Sequence, residues 1–107
     1  LAEQVNLSSA AVSSDVNEFD LTGLSPVKSQ IVAAPRVGES PVNLECKVLQ
    51  IQQLAGLDGK PVETWMVTGE VVAVHIDTEL LPEGSYDTTK AAPILRGGGP
   101  ADYFEIT

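Results

Sequence analysis

With one cysteine, Cys46, in 107 residues, the chain has no internal disulfide, so packing and hydrogen bonding must hold it together. A lone thiol also fits a reducing compartment. Basic residues are scarce. Six Lys and Arg stand against fifteen Asp and Glu, a net charge of −9. Lys28, Arg36, Lys47, Lys60, Lys90 and Arg96 are scattered along the sequence, which excludes the basic footprint of a nucleic-acid or anionic-membrane binder. Aromatics are few, with two Phe, two Tyr and one Trp, enough for the modest core of one small domain. No apolar run approaches the roughly 20 residues of a membrane span, and no basic segment followed by an apolar core opens the chain. One His and one Cys, far apart, give no metal-ligand spacing. Neither a Ser-His-Asp order nor a phosphate-binding loop is present. The expectation is a cytoplasmic protein with no nucleic-acid, membrane or metal partner.

What the sequence does have is one long β-forming stretch, Thr64 to Asp77. It holds Val67, Val71, Val72, Val74 and Ile76, carries the single tryptophan, Trp65, and is bounded by Pro61 and the turn Leu81-Pro82-Glu83-Gly84. Strict alternation puts Trp65, Val67, Gly69, Val71, Ala73 and His75 on one face and Met66, Thr68, Glu70, Val72, Val74 and Ile76 on the other. Both faces are largely apolar, as in a barrel wall covered on its outer side. A second strand is expected from Val42 to Leu54, with Val42, Leu44, Cys46 and Val48 inward and Asn43, Glu45 and Lys47 outward. The apolar register shifts at Leu49 and Ile51, so either a β-bulge lies near Val48 or that end is covered on both sides. Asp58-Gly59 joins the two strands as a hairpin.

Elsewhere Leu1, Ala2 and Val5 read as the tail of an amphipathic helix. Asp15 and Glu18 have capping-box spacing and predict a short helix near residues 15–22, stopped by a left-handed Gly23. Val27 to Ala34 reads as an extended segment with Ile31 and Val32 buried. A closing strand is expected over 102–106, after Ile94-Leu95-Arg96 and three glycines.

Four successive stretches carry a resemblance: Asn17-Glu18-Phe19-Asp20-Leu21-Thr22-Gly23-Leu24, Ser40-Pro41-Val42-Asn43-Leu44-Glu45-Cys46, Gly69 to Ile76, and Arg96-Gly97-Gly98 followed by Asp102-Tyr103. In order and spacing the chain resembles the flavin reductase-like, FMN-binding split-barrel family. The resemblance implies a mainly β fold, a split β-barrel. Residues 1–107 would form the C-terminal part of one such domain, because the family's N-terminal strands have no counterpart here. It further implies a homodimer, FMN near the subunit interface, hydride delivered by NAD(P)H, and electrons passed to an acceptor, which can be a protein. By the same resemblance His75, Arg96 and Tyr103 are the cofactor-binding candidates, with no catalytic side chain assigned.

Each candidate has a plainer reading from its residues alone. His75 is also a half-buried strand histidine with one hydrogen bond, with Asp77 a candidate to orient it. Arg96 is also a surface ion-pair residue, and Tyr103 a barrel-edge aromatic. Gly97 to Gly99 read as a turn, and Cys46 as a small buried hydrophobe. Two alternatives to a reductase stand beside it: an FMN-holding electron carrier without NAD(P)H turnover, and a non-catalytic dimerisation module.

Overall fold

Two β-branched runs joined by a glycine-bearing loop produce the dominant element of the computed structural model, which describes residues 1–99 and 102–105. Strands β3 (Val42–Ala55) and β4 (Pro61–Ile76) form a long antiparallel hairpin. Its loop closes by Gly56 N–H donating to Lys60 O (3.0 Å), Gly59 N–H donating to Gly56 O (3.0 Å), and Lys60 N–H donating to Asp58 Oδ1 (3.0 Å). Gly59 takes φ +77°, a value that costs glycine little. At about 3.4 Å per residue, the strands account for the 52 Å long axis of the chain.

The expected alternation holds only within segments. Ala73 opposes Glu45 while Val71 opposes Cys46, which leaves Val72 as an extra residue in β4; a second irregularity leaves Leu49 extra in β3, and a third, between Gln53 and Ala55, leaves two extra residues in β4 beside the loop. Of the two readings of the apolar shift, the bulge near Val48 is the one present. The one at Val72 was not foreseen, and it turns Ala73 and His75 to the face opposite Trp65, Val67 and Val71. Register then groups Leu44, Val48, Ile51, Trp65, Val67, Val71 and Val74 on one face. All of them are exposed, Leu44 at 56%. The inward orientation expected for Leu44, Cys46 and Val48 is thus corrected: among the described residues nothing covers that face, and Cys46 is exposed.

The rest of the chain gathers at the base of the hairpin. Helix α1 (Ala2–Ser8) packs beside α2 (Glu18–Thr22). The predicted helix is real but begins later than 15: Ser13 to Val16 form a turn, and Asn17, not Asp15, is the N-cap, its Oδ1 accepting from Phe19 N–H at 2.9 Å. Gly23 ends the helix at φ +74°, as expected. Strands β1 (Pro26–Val27) and β2 (Arg36–Val37) pair as a small ribbon, and residues 28–35 between them form a bent loop. The extended segment predicted there is confined to Val27, and Ile31 is 52% exposed, not buried. Beyond β4, two short 3₁₀ turns (Thr78–Leu80 and Pro82–Gly84) and α3 (Thr88–Ala91) lead to β5 (Ile94–Arg96), which pairs with β6 (Tyr103–Glu105). Residue 106 of the predicted closing strand lies outside the described residues.

The fold is mainly β with few helices. Among the described residues the strands form three two-stranded sheets and do not close into a barrel. Leu80, at 5% exposure, is the fully buried hydrophobic side chain among them. Little apolar surface is removed from water within this chain.

Candidate functional site

On the covered face of the hairpin, register places Asn43 opposite His75 and Glu45 opposite Ala73, so Glu45 and His75 are diagonal neighbours. Glu45 is 2% exposed, the most deeply buried side chain described. An unpaired carboxylate there would be strongly unfavourable, and the 28–35 loop resolves this by turning its backbone onto it. Gln30 N–H donates to Oε2 at 2.9 Å, while Ile31 and Val32 N–H donate to Oε1 at 2.7 and 3.1 Å. His75 Nε2 lies 2.5 Å from Oε2. Ser29, itself buried, tightens the loop by donating Oγ–H to Ala34 O at 2.6 Å.

These donors stabilise the ionised form. The Gln30 N–H above all, then Ile31, His75 and Val32, hold the Glu45 carboxyl at about 2, against the opposing effect of burial, where 4.5 is usual. The site is a preorganised anion with one partly exposed neighbour, an imidazole whose side chain is 18% exposed. Such a group can accept, donate or transfer a proton at a ligand while its far side is fixed.

The reading of Glu45 as an outward-facing residue is corrected by this arrangement: apolar neighbours in alternation point one way, but the side of the hairpin that the loop covers is the other. The carboxylate on His75 is Glu45, while at Asp77 the backbone N–H closes the hairpin base by donating to Pro41 O at 2.9 Å. Sequence spacing could not have paired Glu45 with His75. Counting back from Ala55 opposite Pro61 without irregularities sets Glu45 opposite Val71; the shift between Gln53 and Ala55 moves it to Ala73, because the bulges at Leu49 and Val72 offset each other.

The other two candidates lie in the terminal ribbon. Arg96 donates from Nη2 to Gly99 O at 3.1 Å, bracing the turn between β5 and β6 in which Gly98 and Gly99 take positive φ. Tyr103 Oη is 2.7 Å from Ser9 Oγ, tying β6 to the end of α1. Two clefts open near the base of the hairpin. One of about 380 Å³ lies between Pro41, Val42, Tyr86 and Ala91, and one of about 350 Å³ between Val5, Phe19, Leu24 and Val37. His75, Arg96 and Tyr103 line neither, and the three are not joined by hydrogen bonds among the described residues. No His, Cys, Asp and Glu cluster suited to a metal occurs among the described residues. No helix among them is long and apolar enough to cross a membrane.

The model of one protein family, described as flavin reductase like domain, matches residues 1–95. An uncharacterised protein of Halalkalibacterium halodurans is 33% identical over 97 residues, covering 91% of this chain and 46% of its own length. Among solved structures, nitrilotriacetate monooxygenase component B from Bacillus cereus superposes with a TM-score of 0.83 at 25% identity, over 98% of this chain and 51% of the other. A protein of Shewanella frigidimarina described as a flavin reductase with split barrel domain gives 0.74 at 29% identity, over 96% and 50%. Flavoredoxin of Desulfovibrio vulgaris gives 0.68 at 27%, over 92% and 49%. The chain spans about half the length of the proteins it matches.

Proposed function

Since the chain belongs to the flavin reductase-like domain family, we propose that it forms part of an FMN-dependent oxidoreductase that takes hydride from NAD(P)H and passes electrons to an acceptor. The observation that carries this reading is the family match over residues 1–95, supported by the similarity to nitrilotriacetate monooxygenase component B along nearly the whole chain. When bound, the flavin would supply the redox chemistry, with the protein setting its position and electrostatics.

The residues present fit part of that task. His75 offers a partly exposed ring with one nitrogen fixed by a buried carboxylate, suited to a directed hydrogen bond with a heterocyclic ligand. Arg96 offers a cation beside an open turn, and Tyr103 a phenol at the edge of β6. Neither cleft carries a Lys or Arg to pair with a phosphate, so the FMN phosphate is not assigned to them. The exposed apolar face of the hairpin supports assembly with further polypeptide. A homodimer is the form proposed here, in a cytoplasmic setting.

Intact mass, visible absorption and nicotinamide oxidation of the purified protein test this reading together. Flavin bands that bleach on adding NADH or NADPH are the expected result. Flavin bands without bleaching would favour an electron carrier, a role to which the likeness to flavoredoxin lends support. A mass matching 11.3 kDa and no flavin bands even after adding FMN would overturn both readings and favour a dimerisation module.

A further inference from the structure

The two oxygens of Glu45 already accept three backbone N–H donors, and this decides what the fourth neighbour must be. A carboxylate so surrounded is an acceptor on every side, so the nitrogen at 2.5 Å from Oε2 must bring the proton. We propose that Glu45 is the positioning residue of this site: it fixes neutral His75 as the Nε2–H tautomer and so presents a bare Nδ1, a hydrogen-bond acceptor, to a ligand N–H or O–H.

The geometry has the features needed. Glu45 cannot rotate away, because the 28–35 loop holds it and Ser29 in turn holds the loop. His75 is on a strand whose pairing with Asn43 fixes its backbone. Its Nδ1 makes no hydrogen bond among the described residues, and the side chain keeps 18% of its exposure. A carboxylate that sets an imidazole tautomer from behind fixes which nitrogen can exchange protons in front. The ligand side of this inference rests on the flavin reading above, whereas the tautomer does not.

His75 is the sole histidine of the chain, so ¹⁵N-histidine labelling reports on this ring alone. In long-range ¹H–¹⁵N spectra at mildly alkaline pH, Nε2 is expected as a protonated nitrogen and Nδ1 as an unprotonated one. In Glu45→Ala the two resonances are expected to move toward a tautomer average. The reverse assignment in the wild type, or a Glu45→Ala spectrum unchanged from wild type, would overturn the proposal. The wild-type spectrum decides the tautomer even if the variant fails to fold. Adding FMN, then FMN with NADH, tests the ligand side, with flavin fluorescence reporting binding independently. Binding with a shifted Nδ1 supports it, and binding with Nδ1 unmoved overturns the ligand role of His75. No binding overturns the flavin reading for this chain and with it the ligand role, while the tautomer assignment stands or falls on its own spectrum.

Discussion

Acidification should destabilise this chain through the Glu45 carboxyl. Glu45 holds its proton only when the pH falls to about 2, where an unfolded glutamate takes it up near 4.5. A group whose folded value is depressed contributes stability that is complete above the unfolded value, declines as the pH falls below 4.5, and is gone below about 2. The causes are local: the N–H groups of Gln30, Ile31 and Val32 and the ring of His75 all favour the anion, and burial opposes them. Glu45→Gln removes the titration, so the variant should lose stability relative to wild type at neutral pH and converge with it near pH 2. Urea unfolding followed by Trp65 fluorescence across this range measures the difference between the two curves. The carboxyl resonance of Glu45, titrated by ¹³C NMR, gives the midpoint directly. Parallel stability curves for wild type and variant from pH 7 to 2, or a Glu45 midpoint near 4.5, would refute the loop clamp.

Asn17→Ala should cost about 1 kcal/mol, the usual loss on removing an N-cap, because Asn17 Oδ1 satisfies the Phe19 N–H; thermal unfolding checks it. Ala92→Gly should stabilise by roughly 0.5–1 kcal/mol, since Ala92 caps α3 at φ +49°, a left-handed conformation that costs a residue with a Cβ; the midpoint of urea unfolding should rise. The exposed apolar face of the hairpin should make the isolated chain bind a hydrophobic dye and self-associate with concentration. Val67→Lys, at its centre, should reduce both, and light scattering across a concentration series alongside dye fluorescence would show it; equal behaviour of variant and wild type would contradict an open face.

The local elements were legible in the residues because local chemistry makes them. β-Branched runs with Asp58-Gly59 between them can do little but form a hairpin, and Gly23 can end α2 because it has no Cβ to oppose a positive φ. The shift of apolar register near Val48 offered a bulge as one of its two readings, and a bulge is there. The family resemblance was legible too, in four short stretches that are separately weak and together ordered.

Which way a strand faces was not legible, because that depends on what covers it. Apolar alternation pointed Leu44, Cys46 and Val48 inward, but the loop from residue 28 to 35 folds over the opposite side, so an acidic residue is buried while its apolar neighbours stand in water. No local propensity of Glu45 announces this. The amides that stabilise it lie 13 to 15 residues earlier in the chain, and the histidine that meets it lies 30 residues later. Residue chemistry thus determined the hairpin and the glycine stop of α2, and the family resemblance pointed to His75. The tertiary structure alone decided that Glu45 is its partner, because three irregularities in the strand pairing set the register and a distant loop supplied the hydrogen bonds that make a buried carboxylate tolerable.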